Sequence, residues 1–262
     1  MDVENSPLGA MVSAARAGGK ILREYFRSEK LRTRTKSNWA DLVTDADVGA
    51  QAAILEILEA KLPGTPVIGE EKENAPAAEE AIYVDPLDGT LNYVHGLSQF
   101  AVSVGYWVKG SPRAGVVYNP IAEELYSASS GQGAFCNGKP LRASQNRSLR
   151  QCFAATGWPY DREQIPKALR SLERVLTPVQ EVRVLGSSAL ALCYIASGIL
   201  DVYWEWGLSP WDVAAGIVIA GEAGARITSP EGGPFKLESG AVLATNGHIH
   251  DDVLKHMWAG QQ

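Results

Sequence analysis

The sequence has little with which to staple or anchor itself. Its three cysteines, Cys136, Cys152 and Cys193, are odd in number and stand at neither metal-ligand nor redox spacing. They read as reduced and mostly buried thiols, as in a cytoplasmic protein. No apolar run reaches membrane length: VAAGIVIAG at 213–221 is about half a span. The N-terminus carries Asp2 and Glu4 and no long apolar stretch, so the protein is expected to be soluble and unexported. Positive charge is also short, with 24 Lys and Arg against 30 Asp and Glu, a net charge of −6. The acids are spread along the chain, and such a surface gives nucleic acid or anionic membrane no general attraction. There is no internal repeat, no low-complexity tract, and no G-x-S-x-G elbow for serine hydrolase chemistry.

What is present is 262 residues, enough for one large domain or two closely packed lobes with a substantial core. Ser6-Pro7 reads as an N-cap followed by proline at the first helical position, and the apolar spacing predicts a helix to about residue 28. LRTRTKS at 31–37 alternates as a strand, and DLVTDAD at 41–47 leads into a second helix stopped by Pro63-Gly64. VIG at 67–69 and AIYV at 81–84 read as short buried strands, and FAVSVGYWV, RAGVVYNP, ELYSAS and GAFCNG as an antiparallel meander. Beyond about residue 140 the texture changes to alternating strands and helices. Residues 1–140 therefore read as helices plus an antiparallel sheet, and 141–262 as a second α/β unit.

Five acids sit where regular structure is expected to end: Asp47, Glu70, Asp85, Asp88 and Asp212. VDPLDGT, residues 84–90, places two of them three apart. Pro86 stiffens the turn between them, and Gly89-Thr90 opens the short helix LNYVHG with N–H groups able to hold phosphate. Carboxylates packed together repel and raise one another's pKa unless a cation lies between them. With hard oxygen donors, the Leu87 carbonyl available and no histidine near, Mg²⁺ suits the set better than zinc.

Taken alone, Asp88-Gly89 reads equally as an ordinary hairpin turn, Asp47 and Thr90 as helix caps, and Arg183 as a surface ion-pair partner. An EF-hand is excluded, because the twelfth position counted from Asp85 is Gly96. GAFCNGK at 133–139 matches a P-loop formally, but Pro140 replaces the required Ser or Thr. His248, His250 and His256 read as exposed surface histidines. Glu205 lies in the aromatic run YWEW, where a lone carboxylate needs partners.

VDPLDGT, preceded by IGEE at 68–71 and followed by WDVAAG at 211–216, resembles the inositol monophosphatase family of Mg²⁺-dependent, lithium-sensitive phosphatases. DLVTDAD, GAFCNG, GSSAL at 186–190 and EWGLSPWD at 205–212 extend the resemblance over about residues 10 to 250. It implies an α/β (α+β) fold, a layered α-β-α-β-α sandwich of the inositol monophosphatase and sugar phosphatase type. It implies two to three Mg²⁺ ions: one on Glu70, Asp85 and the Leu87 carbonyl, one on Asp85, Asp88 and Asp212, and a looser third touching Glu70. Catalysis would fall to Glu70, Thr90 and Asp47, which orient and deprotonate water. Leu87, Asp88, Gly89, Thr90 and Asp212 would meet the phosphate, and Arg183, Gly186, Ser187, Ser188 and Glu205 the alcohol. The expected reaction is hydrolysis of inositol 1-phosphate. Relatives that cleave fructose 1,6-bisphosphate, phosphoadenosine phosphate, NADP or histidinol phosphate are the alternatives, and a non-catalytic regulatory module is a more distant one. A homodimer acting on a small phosphorylated polyol or sugar, without nucleic acid or membrane, completes the expectation.

Overall fold

In the computed structural model, which describes residues 6–71 and 79–259, the Ser6 hydroxyl accepts the Gly9 N–H at 3.1 Å and caps the first helix as its sequence suggests. Asp2 and Glu4 lie outside the described residues. The elements run α1 (Pro7–Tyr25), β1 (Thr33–Thr35), β2 (Leu42–Thr44), α2 (Asp45–Lys61), β3 (Val67–Gly69), β4 (Glu80–Asp88), α3 (Thr90–Val94), β5 (Ala101–Val108), β6 (Ser111–Asn119), β7 (Glu124–Ser129), β8 (Ala134–Cys136), β9 (Lys139–Pro140), β10 (Phe153–Thr156), α4 (Ile165–Leu176), β11 (Glu181–Val184), α5 (Ser188–Ala196), β12 (Val202–Trp206), α6 (Pro210–Glu222), β13 (Arg226–Thr228), β14 (Ala241–Thr245) and α7 (His250–Met257). The first helix stops at Tyr25 rather than near 28, because Phe26 turns to a ψ of 122°, outside the helical range, and Arg27 follows with a φ of 58°.

Strands β3 to β9 form a seven-stranded sheet in sequence order, antiparallel except for the parallel β3–β4 pair. A five-stranded sheet follows in the order β11-β10-β12-β14-β13, with β10 parallel to β11 and β12. Helices α1 and α2 cover one face of the larger sheet, sharing a core with Ile82, Val102 and Val116. Helices α5 and α6 fill the space between the sheets, and α4 and α7 close the far side over Trp204 and Leu243. The result is five layers, α-β-α-β-α, each apolar face buried on the next. Every large side chain so buried contributes roughly 1.5–3 kcal/mol.

The seating of α6 fixes the site. A Cβ on Gly115 would lie 2.4 Å from the Ala215 carbonyl oxygen, and one on Gly105 2.6 Å from Ala214. The helix backbone therefore rests directly on β5 and β6. The Trp107 indole N–H donates to the Ala214 carbonyl at 3.0 Å and the Ser103 hydroxyl to the Trp211 carbonyl at 3.2 Å, which sets the helix in register. Its first turn, carrying Asp212, is thereby delivered to the end of β4.

One histidine departs from expectation. His250 is fully buried, its ring nitrogens 3.0 Å from the Thr228 and Thr245 hydroxyls, and burial pushes its pKa down to about 4. The two threonines satisfy its polar atoms, and a neutral ring can then start α7 inside the core. His248 and His256 are exposed. All three cysteines are free thiols, Cys152 and Cys193 buried and Cys136 partly so. Among the described residues no helix is long and apolar enough to cross a membrane.

Candidate active site

The aspartates of VDPLDGT owe their common direction to a bulge. Asp85 pairs with Ser103 and Asp88 with Ala101, so Pro86 and Leu87 together oppose the single residue Val102. In a regular strand, residues three apart face opposite sides; the extra residue turns both carboxylates to one side. Immediately after them Gly89 adopts a φ of 98°, where a Cβ would meet the carbonyls of Gln99 and Gly186 at 2.9 and 3.0 Å. Only glycine fits there, and α3 starts from it.

These residues line one cavity of about 290 Å³, together with Glu70 at the end of β3, Asp212 from α6 and Glu205 from β12. Leu87, Thr90, Asn92, Gly157, Trp158, Pro159, Tyr160, Arg162, Gly186, Ser188 and Leu208 complete much of its wall. The Asn92 amide donates to the carbonyls of Leu185 and Gln99, each at 2.7 Å, and so ties the Gly186 turn to α3.

Each carboxylate has a protein donor. Asp85 accepts the Leu87 N–H at 2.9 Å. Asp88 accepts the Ser187 hydroxyl and the N–H groups of Ser188 (3.2 Å) and Ala189 (2.9 Å), so it caps α5 from another element. Asp212 accepts the Ser209 N–H at 2.8 Å within the capping box of α6. Glu70 accepts the Lys36 ammonium at 2.8 Å, and Glu71 shares that ammonium. Glu205 accepts the Tyr203 hydroxyl at 2.5 Å and the Ser188 hydroxyl at 3.4 Å, both through Oε2, which leaves Oε1 outside these bonds. A Cβ at Gly157 would lie 2.1 Å from this carboxylate, so the glycine makes room for it.

Burial, then repulsion from Glu70, Asp88 and Asp212, holds the Asp85 pKa well above the usual carboxylate range. Asp212 is raised by burial and by Asp88. Burial pushes Asp88 up to about 6 against the pull of its three donors, and Glu205 up to about 7. Acids perturbed in this way favour either protons or a bound cation. Among the described residues no three Asp, Glu, His or Cys side chains converge as a finished metal cage, since each carboxylate leans on its own donor. The donor chemistry nevertheless fits a hard divalent ion: Glu70, Asp85, Leu87, Asp88 and Asp212 all line the same cavity, four with carboxylates and Leu87 with its carbonyl, and all of these donors are oxygen.

Of the remaining residues singled out in the sequence, Asp47 and Ser187 stand behind the cavity wall. Asp47 is fully buried, accepts both the N–H (2.8 Å) and hydroxyl (2.5 Å) of Thr44 in the capping box of α2, and lies 3.2 Å from the Thr90 hydroxyl. Burial pushes its pKa up to about 7. Arg183 is set apart: it lies on the edge strand β11, pairs with Glu181 at 3.2 Å and covers the Phe153 ring, and it is not among the residues lining the cavity. Alternation along β11 turns it away while Val184 reaches the wall. Lys36 and Arg162 were not singled out by sequence, because each sits in a stretch whose charge resembles an ordinary surface loop.

The model of the inositol monophosphatase family matches residues 5–262. Inositol monophosphatase 3 of Solanum lycopersicum is 38% identical over 256 residues, covering 95% of both chains. Nus factor SuhB of Pasteurella multocida is 37% identical over 254 residues, again covering 95% of both. The crystal structure of extragenic suppressor protein suhB from Bartonella henselae superposes with a TM-score of 0.91 at 37% identity, over 96% of this chain and 98% of that one.

Proposed function

The chain belongs to the inositol monophosphatase family, and from that premise we propose that it is a Mg²⁺-dependent phosphomonoesterase hydrolysing inositol 1-phosphate to inositol and phosphate. The observation that carries this reading is the gathering of Glu70, Asp85, Asp88 and Asp212 in one cavity with Thr90 and the separate acceptor Glu205. Glu70, Asp85, the Leu87 carbonyl, Asp88 and Asp212 would hold two to three ions. Divalent ions bound there supply positive charge to the phosphate and leaving oxygen and make water acidic enough to attack near neutral pH.

The chain's own groups do the positioning. The Thr90 hydroxyl has one hydrogen and two acceptors, Asp47 at 3.2 Å and the Leu87 carbonyl at 3.0 Å. It can therefore give that hydrogen to Asp47 and accept one from water. Glu70 takes the proton. The N–H groups of Gly89 and Thr90, at the cavity wall, receive phosphate oxygens. Glu205, oriented by Tyr203, offers Oε1 to alcohol hydroxyls, and Trp158, Pro159 and Leu208 limit water at the leaving group. The same reading carries a cytoplasmic homodimer. A relative named as a Nus factor suggests a regulatory module as the second reading, but a module without turnover has no need of the whole acidic set.

Glu205→Ala tests the assignment of the alcohol end. Hydrolysis of inositol 1-phosphate is expected to fall roughly tenfold or more, the worth of a lost charge-assisted hydrogen bond, while p-nitrophenyl phosphate, which offers no such hydroxyls, loses far less. Equal losses on both substrates would move Glu205 from the alcohol to the metals or the fold.

A further inference from the structure

On the far side of the five-stranded sheet a second, smaller cavity of about 160 Å³ opens between α4 and the end of α7. Its charge is the reverse of the first: Lys167, Arg170 and Arg174 line it, and no acid does. These cations stand at i, i+3 and i+7 on α4, one face of the helix, where like charges repel. Trp206, Met257 and Trp258 supply the apolar walls. Strand β12 separates the two cavities, because adjacent residues of a strand face opposite ways: Glu205 lines the first cavity and Trp206 the second.

Most polar groups around this cleft have partners. Arg174 donates to the Met257 carbonyl at 3.0 Å, the Trp258 indole to the Pro230 carbonyl at 2.7 Å, and the Ser171 hydroxyl accepts the Trp204 indole at 2.9 Å. Lys167 pairs with Glu231 at 3.0 Å and sits 4.9 Å from the centroid of the Trp206 ring. Arg170 is different: it is exposed and, among the described residues, forms no ion pair. Trp206 is only 4% exposed, yet its buried indole N–H has no acceptor. The Glu231 carboxylate lies near that indole and closes no hydrogen bond to it. A buried donor left unmade destabilises the fold, and a ligand oxygen entering the cleft would satisfy it.

We infer that this cleft is a second binding site, separate from the acidic cavity, for a small phosphate-type oxyanion, either free or as the phosphate group of an ester. Arg170 and Arg174 offer guanidinium forks, Lys167 an ammonium and Trp206 a neutral N–H. All four side chains are donors only, and a convergent set of donors with positive charge matches phosphate oxygens. The ligand is held there and no bond is made or broken, so the inference stands independently of the phosphatase reading.

The test is ¹⁵N–¹H NMR of the tryptophan indoles in the full chain, with divalent ions withheld so that the acidic cavity repels anions, as inorganic phosphate replaces chloride at constant ionic strength. Trp206→Phe and Trp158→Phe identify the resonances belonging to the two cavities, and calorimetry of the same titration gives the affinity independently. The Trp206 resonance should shift saturably while that of Trp158 stays in place. Arg170→Gln removes a side chain without an ion-pair partner, so it should weaken phosphate binding roughly tenfold with an unchanged melting temperature; Arg170→Lys should recover part of the loss. Repeating the series with inositol 1-phosphate distinguishes the sources: a shift with both ligands assigns the site to the phosphate group itself, and a shift with inositol 1-phosphate alone to the ester. A Trp206 resonance that moves with neither would overturn the inference, as would equal affinity in wild type and Arg170→Gln, which would place the anion elsewhere.

Discussion

Asp88→Asn should leave a folded protein that releases phosphate about 10²-fold more slowly or worse. The side chain keeps its shape and at least one acceptor for the N-terminal turn of α5. Exchanging a carboxylate oxygen for an amide disturbs the bonds from Ser187 and Ala189, a loss of about 1 kcal/mol. Against this, one buried charge disappears from a cluster in which Asp88 repels Asp85 and Asp212, so melting should stay close to wild type. Phosphate release measured beside a thermal melt separates the two effects. A variant with near-normal Mg²⁺-dependent turnover would remove Asp88 from the metal set.

A change of similar reach lies far from any charge. In Gly115→Val the new Cβ falls 2.4 Å from the Ala215 carbonyl, and neither β6 nor the α6 backbone can yield without parting the two central layers. Overpacking of this kind costs about 3 kcal/mol or more, a fall in melting temperature on the order of 10 °C for a chain of this size. Because Asp212 rides on α6, activity per folded molecule should drop as well. Gly221→Ala is the control, since its Cβ has only Ile227 at 3.9 Å; a helical alanine there should be neutral or mildly stabilising. If Gly115→Val melted with the control, α6 would not be seated as described.

Much of the site could be read from sequence because its residues lie beside strong local signals. Ser209-Pro210 and Thr44 announce helix starts, which places Asp212 and Asp47 in first turns, and the Pro86 and Gly89 punctuation marks a turn after Val84, where the strand instead runs on to Asp88 through the bulge that aims Asp85 and Asp88. Other features depend on partners far along the chain and leave no local trace. The five-layer architecture followed from family resemblance, because nothing in the spacing of WDVAAG says that a helix will be buried between two sheets. His250 read as a surface residue because its two threonine partners, Thr228 and Thr245, become neighbours only when β13 pairs with β14. Arg183 was expected at the alcohol side, but strand alternation on β11 turned it to Glu181 and Phe153. Ser187 and Ser188 were expected to meet the alcohol, and they also hold Asp88, a contact that joins β4 to α5 across about a hundred residues of chain. Arg162 belongs to a loop whose place at the cavity wall depends on the whole fold.

The central claim is that these buried carboxylates are gathered to hold divalent ions for phosphate ester hydrolysis. Its most direct test is phosphate release from inositol 1-phosphate by chelator-stripped protein as Mg²⁺ is titrated back, with Na⁺ holding ionic strength constant. The account predicts no release above the uncatalysed background without Mg²⁺ and a saturable return of activity as the ion is added; release at an unchanged rate in the stripped protein would contradict it.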